Sequence, residues 1–119
     1  MTISIVTNIT IALVAALHVC FLLLEMFLWD RPVGLKVFNQ TPEQARSSKV
    51  LAANMGLYNG FLAAGIIWGL SLGNSGFGVL TFFLCCVLIA GLFGAFTASR
   101  KILYVQAMPA AVGLVLLWL

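Results

Sequence analysis

The 119-residue chain is 63% hydrophobic and only 8% charged, with a net charge of +3 and a mean hydropathy of +1.15. This composition excludes a water-soluble globular protein, because about a quarter of the residues in soluble domains are charged. We therefore expect an all-α integral membrane protein.

Four apolar stretches predict four transmembrane helices. Each approaches the roughly 20 residues that a helix needs to cross a hydrocarbon core of about 30 Å, although the last is barely long enough. The first stretch is expected to be retained, since its N-terminal end contains no Lys or Arg and it is too long for an ordinary signal core. The prediction is one transmembrane domain over residues 1–119, a polytopic four-transmembrane-helix bundle. Its spans cover residues 3–29, 50–72, 77–99 and 102–119.

The first span contains an acid and an imidazole. Glu25 lies near its end, and His18 lies seven residues earlier on the same helical face, which also includes Trp29. Ionisable groups inside a membrane are costly, and they usually mark functional sites. We interpret all three residues as candidate ligand contacts. The alternative is that Glu25 pairs with a basic side chain at the interface and only anchors the helix.

The cytoplasmic connection, residues 30–49, is the only one long enough to have structure of its own. Pro32 is expected to end the first helix, because proline disfavours helical geometry at the preceding residue. The mainly apolar residues that follow predict a segment on the membrane surface.

The second helix has a recognisable start. Thr41 is predicted as its N-cap, Pro42 as its first helical residue and Gln44 as the partner that completes a capping box. We expect this helix to run over residues 42–72, with a solvated extension before the membrane.

The basic residues predict the orientation. They fall only in the first and third connections, at Arg31, Lys36, Arg46, Lys49, Arg100 and Lys101. By the positive-inside tendency, that side is cytoplasmic and both termini face outward, an N-out/C-out topology. The same charges predict contact with membrane lipids. No nucleic-acid motif is present, so a nucleic-acid partner is not expected.

Small residues recur at helical spacing in the second and third spans, from Ala52 to Gly73 and from Ala90 to Ala98. Such spacing lets helix backbones approach closely. The contacts are predicted within a bundle or between copies in a homo-oligomer, and the sequence leaves both open. Cys20, Cys85 and Cys86 are interpreted as packing residues, since their spacing fits neither a metal site nor a disulfide framework. We expect no metal and no cofactor.

Depth in the membrane suggests a shared cavity. Glu25, Asn54 and Gln106 each lie roughly 7 or 8 Å from the cytoplasmic end of a different span, whereas His18 and Asn59 lie roughly 15 to 18 Å deep. These groups predict a polar cavity that opens to the cytoplasm.

Two further features belong to the predicted cavity. Tyr58 shares a helical face with Asn54 and is a candidate wall residue. Pro109 is expected to free the carbonyl of Val105 beside Gln106. The alternative is that the amide side chains only join helices by hydrogen bonds.

Three segments of the sequence support a resemblance to a known family: Glu25-Met26-Phe27-Leu28-Trp29, Lys36-Val37-Phe38 and the run from Lys49 to Gly65. They resemble small bacterial four-span membrane proteins of unknown function that are related to accessory immunity proteins of lantibiotic producers. The resemblance covers most of the chain. It implies a multi-pass protein of the bacterial cytoplasmic (inner) membrane, with a loose association with peptide export or self-protection. It supplies no catalytic residue.

Three functions follow as hypotheses. The first is binding or assisted transport of an amphiphilic or lipid-like ligand in the cytoplasm-facing cavity, which the absence of a recognised nucleophile, metal or cofactor motif favours over an enzyme. The second is a glutathione-dependent membrane enzyme similar to the four-helix eicosanoid-metabolism family, whose basic and Asn pattern Arg46, Lys49 and Asn54 resemble in part. The third is a small proton-coupled exporter, which would use Glu25 as its first-helix acid.

Overall fold

Every regular element in the computed structural model, which describes residues 2–119, is helical. A 3₁₀ turn, Gly73–Gly76, precedes the fourth helix, and a π-helical turn, Leu103–Ala107, precedes the fifth. The α-helices are α1 (Ile5–Met26), α2 (Pro32–Val37), α3 (Pro42–Ser71), α4 (Phe77–Thr97) and α5 (Met108–Trp118). The all-α prediction is confirmed.

Three helical stretches are long and apolar enough to cross a membrane: Ile5–Met26, Pro42–Ser71 and Gly73–Thr97. These stretches indicate a membrane protein. The stretch predicted as a fourth span forms a shorter apolar helix, Leu103–Trp118. The four-span count and the orientation therefore stay predictions.

The start of α3 follows from its sequence. The Thr41 side chain accepts a hydrogen bond from the Gln44 N–H at 3.2 Å, and the Gln44 side chain accepts one from the Thr41 N–H at 3.0 Å. This reciprocal pair satisfies backbone donors that the first helical turn leaves without partners. The predicted capping box and the first residue of the helix, Pro42, are confirmed.

The end of α1 differs from the prediction. The helix ends at Met26, three residues before the predicted Trp29, because the Leu28 N–H bonds to the Leu23 carbonyl in a wider turn. Pro32 lies in the first turn of α2, where its missing N–H costs no hydrogen bond. It therefore begins a short helix instead of ending α1.

The chain divides into two compact units. The large unit comprises Met1–Leu17 and Leu62–Leu119, and the small unit comprises His18–Phe61. The large unit has an apolar core to which α1, α3, α4 and α5 all contribute. Its buried members are Ile11, Val14, Ala15, Ile66, Leu80, Leu84, Val87, Ala110 and Leu117.

Glycines bring the helices of the small unit together, as the small-residue spacing predicts. A Cβ built on Gly56 would lie 2.6 Å from Met26 Cγ and 3.1 Å from Glu25 Cβ, and one built on Gly60 would lie 2.7 Å from Leu22 Cδ1. Larger residues at these positions would push α3 away from the end of α1. The close approach places α3 directly against Glu25.

Candidate functional site

A buried acid and an amide from two helices meet in the small unit. Glu25, in the last turn of α1, is 5% exposed, and its Oε1 accepts a hydrogen bond from Nδ2 of Asn59 on α3. Gly56 lies about one turn before Asn59 and allows this approach. The structure therefore brings together two of the residues that the sequence predicts for the site.

His18 is fully buried, two turns before Glu25 on α1. Its ring makes an edge-to-face contact with Phe21, with centroids 5.2 Å apart and planes at 71°. Buried imidazole and carboxylate groups on one helix are unusual in an apolar segment, and both can donate or accept protons.

Trp29 packs and hydrogen-bonds within the connection that follows α1. Its indole N–H donates to the Ser48 hydroxyl at 3.1 Å, and its ring lies 4.7 Å from the ring of Phe38. These contacts join the turn after α1, the residue after α2 and the second turn of α3. They support a structural role, while the predicted ligand contact stays a prediction.

Asn54 and Tyr58 are both exposed, and their observed contacts lie on their own helix. Asn54 Nδ2 donates to the Val50 carbonyl at 2.9 Å, and the Tyr58 ring lies 6.2 Å from Phe61. Asn54 and Asn59 are five positions apart, which turns them about 140° from each other around a helix. The sequence predicts Asn54, not Asn59, at the depth of Glu25, yet Asn59 is the residue that bonds to Glu25. Depth counted along the chain therefore does not decide which side chains meet. Their assignment to ligand binding stays a prediction.

Gln106 belongs to the large unit and lies in the π-helical turn, where it is half-buried. The Met108 N–H closes this turn on the Leu103 carbonyl, directly before Pro109. The sequence predicts a freed carbonyl at this proline, and the structure shows a wider helical turn there. Turns of this kind occur frequently at functional sites.

Two charged residues of the connection form an ion pair. Lys49 Nζ lies 2.9 Å from Asp30 Oδ2. The hydrogen bond from Lys49 is the main reason that the pKa of Asp30 lies below its ordinary value of 3.8. The glutathione hypothesis names Arg46, Lys49 and Asn54. Lys49 pairs with Asp30 and Asn54 bonds to the Val50 carbonyl, whereas Arg46 is exposed.

The large unit contains a cavity of about 270 Å³ that the sequence analysis missed. The Ser4 and Thr7 hydroxyls, 2.8 Å apart, supply its polar side chains together with Thr2. Serine and threonine near a chain end give no distinctive sequence signal. The lining residues are Thr2, Ile3, Ser4, Thr7, Leu116, Leu117 and Leu119, which include none of the predicted site residues.

The cysteines and acids of the described chain form no metal site. Cys20 is exposed, Cys85 and Cys86 are half-buried, and all three are free thiols. Over residues 2–119, no group of three or more His, Cys, Asp or Glu side chains is placed to hold a metal ion. The exposed position of Cys20 differs from the packing role predicted for it.

Comparison with known proteins gives a family without an assigned activity. The chain is 28% identical over 113 residues to the "Uncharacterized protein YpaA" of Lactococcus lactis subsp. lactis (strain IL1403), and the match covers 92% of this chain and 95% of that protein. No solved structure matches the chain. Residues 12–118 match the family described as "Protein of unknown function (DUF1304)". Because this match covers most of the sequence, the chain belongs to the DUF1304 family.

Proposed function

We propose that the small unit binds the head group of an amphiphilic or lipid-like molecule at Glu25 and assists its transport or retention. The observation that supports this proposal is the buried Glu25 carboxyl group, hydrogen-bonded to Asn59 on a second helix. Neither side chain is needed to fill apolar space, since leucine would do so without the cost of burying polar groups.

The chemistry of the pair defines the class of head group. An ionised carboxylate only accepts hydrogen bonds, and one amide offsets only part of its lost hydration. A ligand that donates hydrogen bonds, such as a primary ammonium, would supply the remaining stabilisation. The apolar surface of a spanning helix would accommodate its alkyl chain. His18, two turns away on α1, is proposed to change its protonation or hydrogen bonding when the ligand binds.

The family relationship is compatible with this role but assigns none. The proposed location is the bacterial cytoplasmic membrane, with residues 30–49 on the cytoplasmic side. The resemblance to relatives of lantibiotic-immunity proteins belongs to the same proposal, because an accessory of self-protection would encounter amphiphilic molecules.

A retention experiment tests the proposal. Wild-type protein in nanodiscs is incubated with dodecylamine or with dodecanoate, and bound molecules are counted by native mass spectrometry. We expect the wild type to retain the amine in preference to the acid. Glu25→Gln should weaken amine retention at least about ten-fold, since a hydrogen bond to a charged group contributes about 1.5–3 kcal/mol.

Glu43→Gln is the matched control, because it removes the same charge from an exposed acid in the first turn of α3. This variant should retain dodecylamine as the wild type does. The proposal would be contradicted if Glu25→Gln and Glu43→Gln retained dodecylamine equally. It would also be contradicted if the wild type retained dodecanoate as readily as dodecylamine.

The enzyme and exporter hypotheses have weaker support. The glutathione hypothesis predicts that millimolar glutathione protects the wild type against heat and that Arg46→Ala removes the protection. The exporter hypothesis predicts pH-driven dye efflux from proteoliposomes that Glu25→Gln abolishes. Lys49 bonds to Asp30, which does not favour the glutathione hypothesis over ligand binding. Glu25 lies in the last turn of α1, which does not favour the exporter hypothesis over ligand binding.

A further inference from the structure

The short helix α2 presents a face that is both apolar and basic. Val33 and Val37 are 47% and 45% exposed, and Lys36 between them is also exposed. Positions three and four residues apart share one side of a helix. Arg31, exposed directly before α2, adds a second cation. These four residues are called the α2 surface.

Contacts on the other side of α2 fix the direction of this surface. Gly34 is buried, and a Cβ built on it would lie 1.9 Å from the Leu28 carbonyl oxygen. Phe38, at the end of α2, packs on Trp29. The Gly34 side of α2 therefore packs closely against the turn that follows α1. The valines and Lys36 therefore stay on the outer side of the small unit.

The acids near the α2 surface offset its positive charge only in part. Asp30 is hydrogen-bonded to Lys49 and also interacts electrostatically with Arg31. Glu43 lies in the first turn of α3, and Glu25 is buried against Asn59. The α2 surface itself contains two cations and no acid.

The position of α2 in the chain places it at a membrane face. It lies in the connection between α1 and α3, and both helices are long and apolar enough to span a bilayer. Segments that combine apolar side chains with Lys or Arg occur at the boundary between head groups and acyl chains. There, valine contacts the acyl region while the cations reach the phosphates.

We propose that the α2 surface binds the phosphate groups of anionic phospholipids in the bilayer that surrounds the protein. The apolar residues set its depth, and Arg31 with Lys36 supplies the charge that distinguishes anionic from zwitterionic lipid. This binding does not depend on the ligand proposed for Glu25.

Lipid retention tests this proposal on the full-length protein. The protein is reconstituted in vesicles of equal parts phosphatidylcholine and phosphatidylglycerol, and co-purified lipids are identified by native mass spectrometry. We expect an excess of phosphatidylglycerol that falls as ionic strength rises. The double variant Arg31→Gln/Lys36→Gln should lower this excess at least about five-fold, because one basic side chain near an anionic surface contributes about 1 kcal/mol.

Two control variants separate local binding from general charge. Arg100→Gln/Lys101→Gln removes the same charge from the other basic connection and should keep most of the excess. Arg31→Lys/Lys36→Arg keeps both charges and should behave as the wild type. Glu25→Gln should also retain phosphatidylglycerol, which distinguishes this surface from the site in the proposed function.

Two results would overturn the proposal. The first is that Arg31→Gln/Lys36→Gln keeps the same excess of phosphatidylglycerol as the wild type. The second is that Arg100→Gln/Lys101→Gln loses as much of this excess as Arg31→Gln/Lys36→Gln does. Circular dichroism checks that each variant is folded. If the double variant does not fold, Lys36→Gln alone decides the question, since Lys36 is exposed and its unchanged retention would also overturn the proposal.

Discussion

At the residue scale, the direction of a side chain decides whether it bonds to another helix or to its own. Two asparagines lie on α3 within two turns of each other, and only Asn59 donates to the buried carboxyl group, whereas Asn54 bonds to its own helix. The same residue type thus has two different energetic roles. A hydrogen bond between membrane helices commonly contributes less than about 1 to 2 kcal/mol.

We predict that Asn59→Leu destabilises the protein by about 1–2 kcal/mol, because it leaves the Glu25 carboxyl group buried without its amide donor. Asn54→Leu, an exposed change about one turn earlier, should alter stability by less than about 0.5 kcal/mol. Equilibrium unfolding in mixed micelles measures both values. Equal effects of the two substitutions would show that the Glu25–Asn59 bond contributes little.

The ion pair between Asp30 and Lys49 predicts a dependence on pH. The hydrogen bond from Lys49 lowers the pKa of Asp30 in the folded protein below 3.8. The ion pair therefore stabilises the fold fully above the pKa of Asp30 in the unfolded chain, and this stabilisation is lost as pH falls through the pKa of Asp30 in the folded protein. We therefore expect wild-type stability to decrease below about pH 4.

Asp30→Asn and Lys49→Met should each reduce this acid-dependent loss, because each removes one partner of the pair. Thermal unfolding at neutral and acidic pH measures the difference. A wild-type pH profile in both variants would contradict the assignment. The effect should be small, since exposed ion pairs are weak.

At the scale of elements, the large unit depends on close contact between α4 and the π-helical turn. A Cβ built on Gly91 would lie 2.6 Å from the Ala107 nitrogen and 2.8 Å from its Cα. Both atoms belong to the backbone, so a side chain cannot be accommodated by a change of rotamer. The glycine permits the close contact with the turn.

Gly91→Ala should therefore destabilise the protein by about 1–3 kcal/mol, the usual range for overpacking. Gly78 on α4 is the control, since a Cβ there would have no atom within 4 Å. Gly78→Ala should be neutral or slightly stabilising, because alanine favours helix more than glycine does. Unfolding in mixed micelles compares the two variants. A tolerated Gly91→Ala would show that α4 and the turn separate easily.

At the scale of the whole molecule, the number of spans depends on the C-terminal stretch. Leu103–Trp118 covers about 24 Å at 1.5 Å per residue, less than the roughly 30 Å of a hydrocarbon core. Its π-helical turn changes the local rise but adds no residues. A membrane that thins locally accommodates such a short helix at modest cost.

Cysteine labelling tests the N-out/C-out topology in a variant without the native cysteines. A membrane-impermeant maleimide should label Ser75→Cys and Leu119→Cys on intact cells, but Lys101→Cys only after permeabilisation. Labelling of Leu119→Cys only after permeabilisation would contradict the four-span count. Reversed labelling at all three positions would contradict the orientation.

The sequence by itself determined the all-helical class, three apolar stretches long enough to cross a membrane, and the start of α3. These features depend on composition and on residues close in the chain, as the Thr41–Gln44 capping box shows. It also identified Glu25 as unusual, because an acid in an apolar run is recognisable without knowledge of its neighbours.

Only the tertiary structure decided that Glu25 pairs with Asn59 and that Gly34 packs against the Leu28 carbonyl. Each of these outcomes depends on helix rotation or on contact between residues outside one local helical turn. Hydrophobicity varies little around these helices, so composition alone does not determine which side faces a neighbour. Close packing at glycine positions selected the rotation, and that rotation decided which polar groups met.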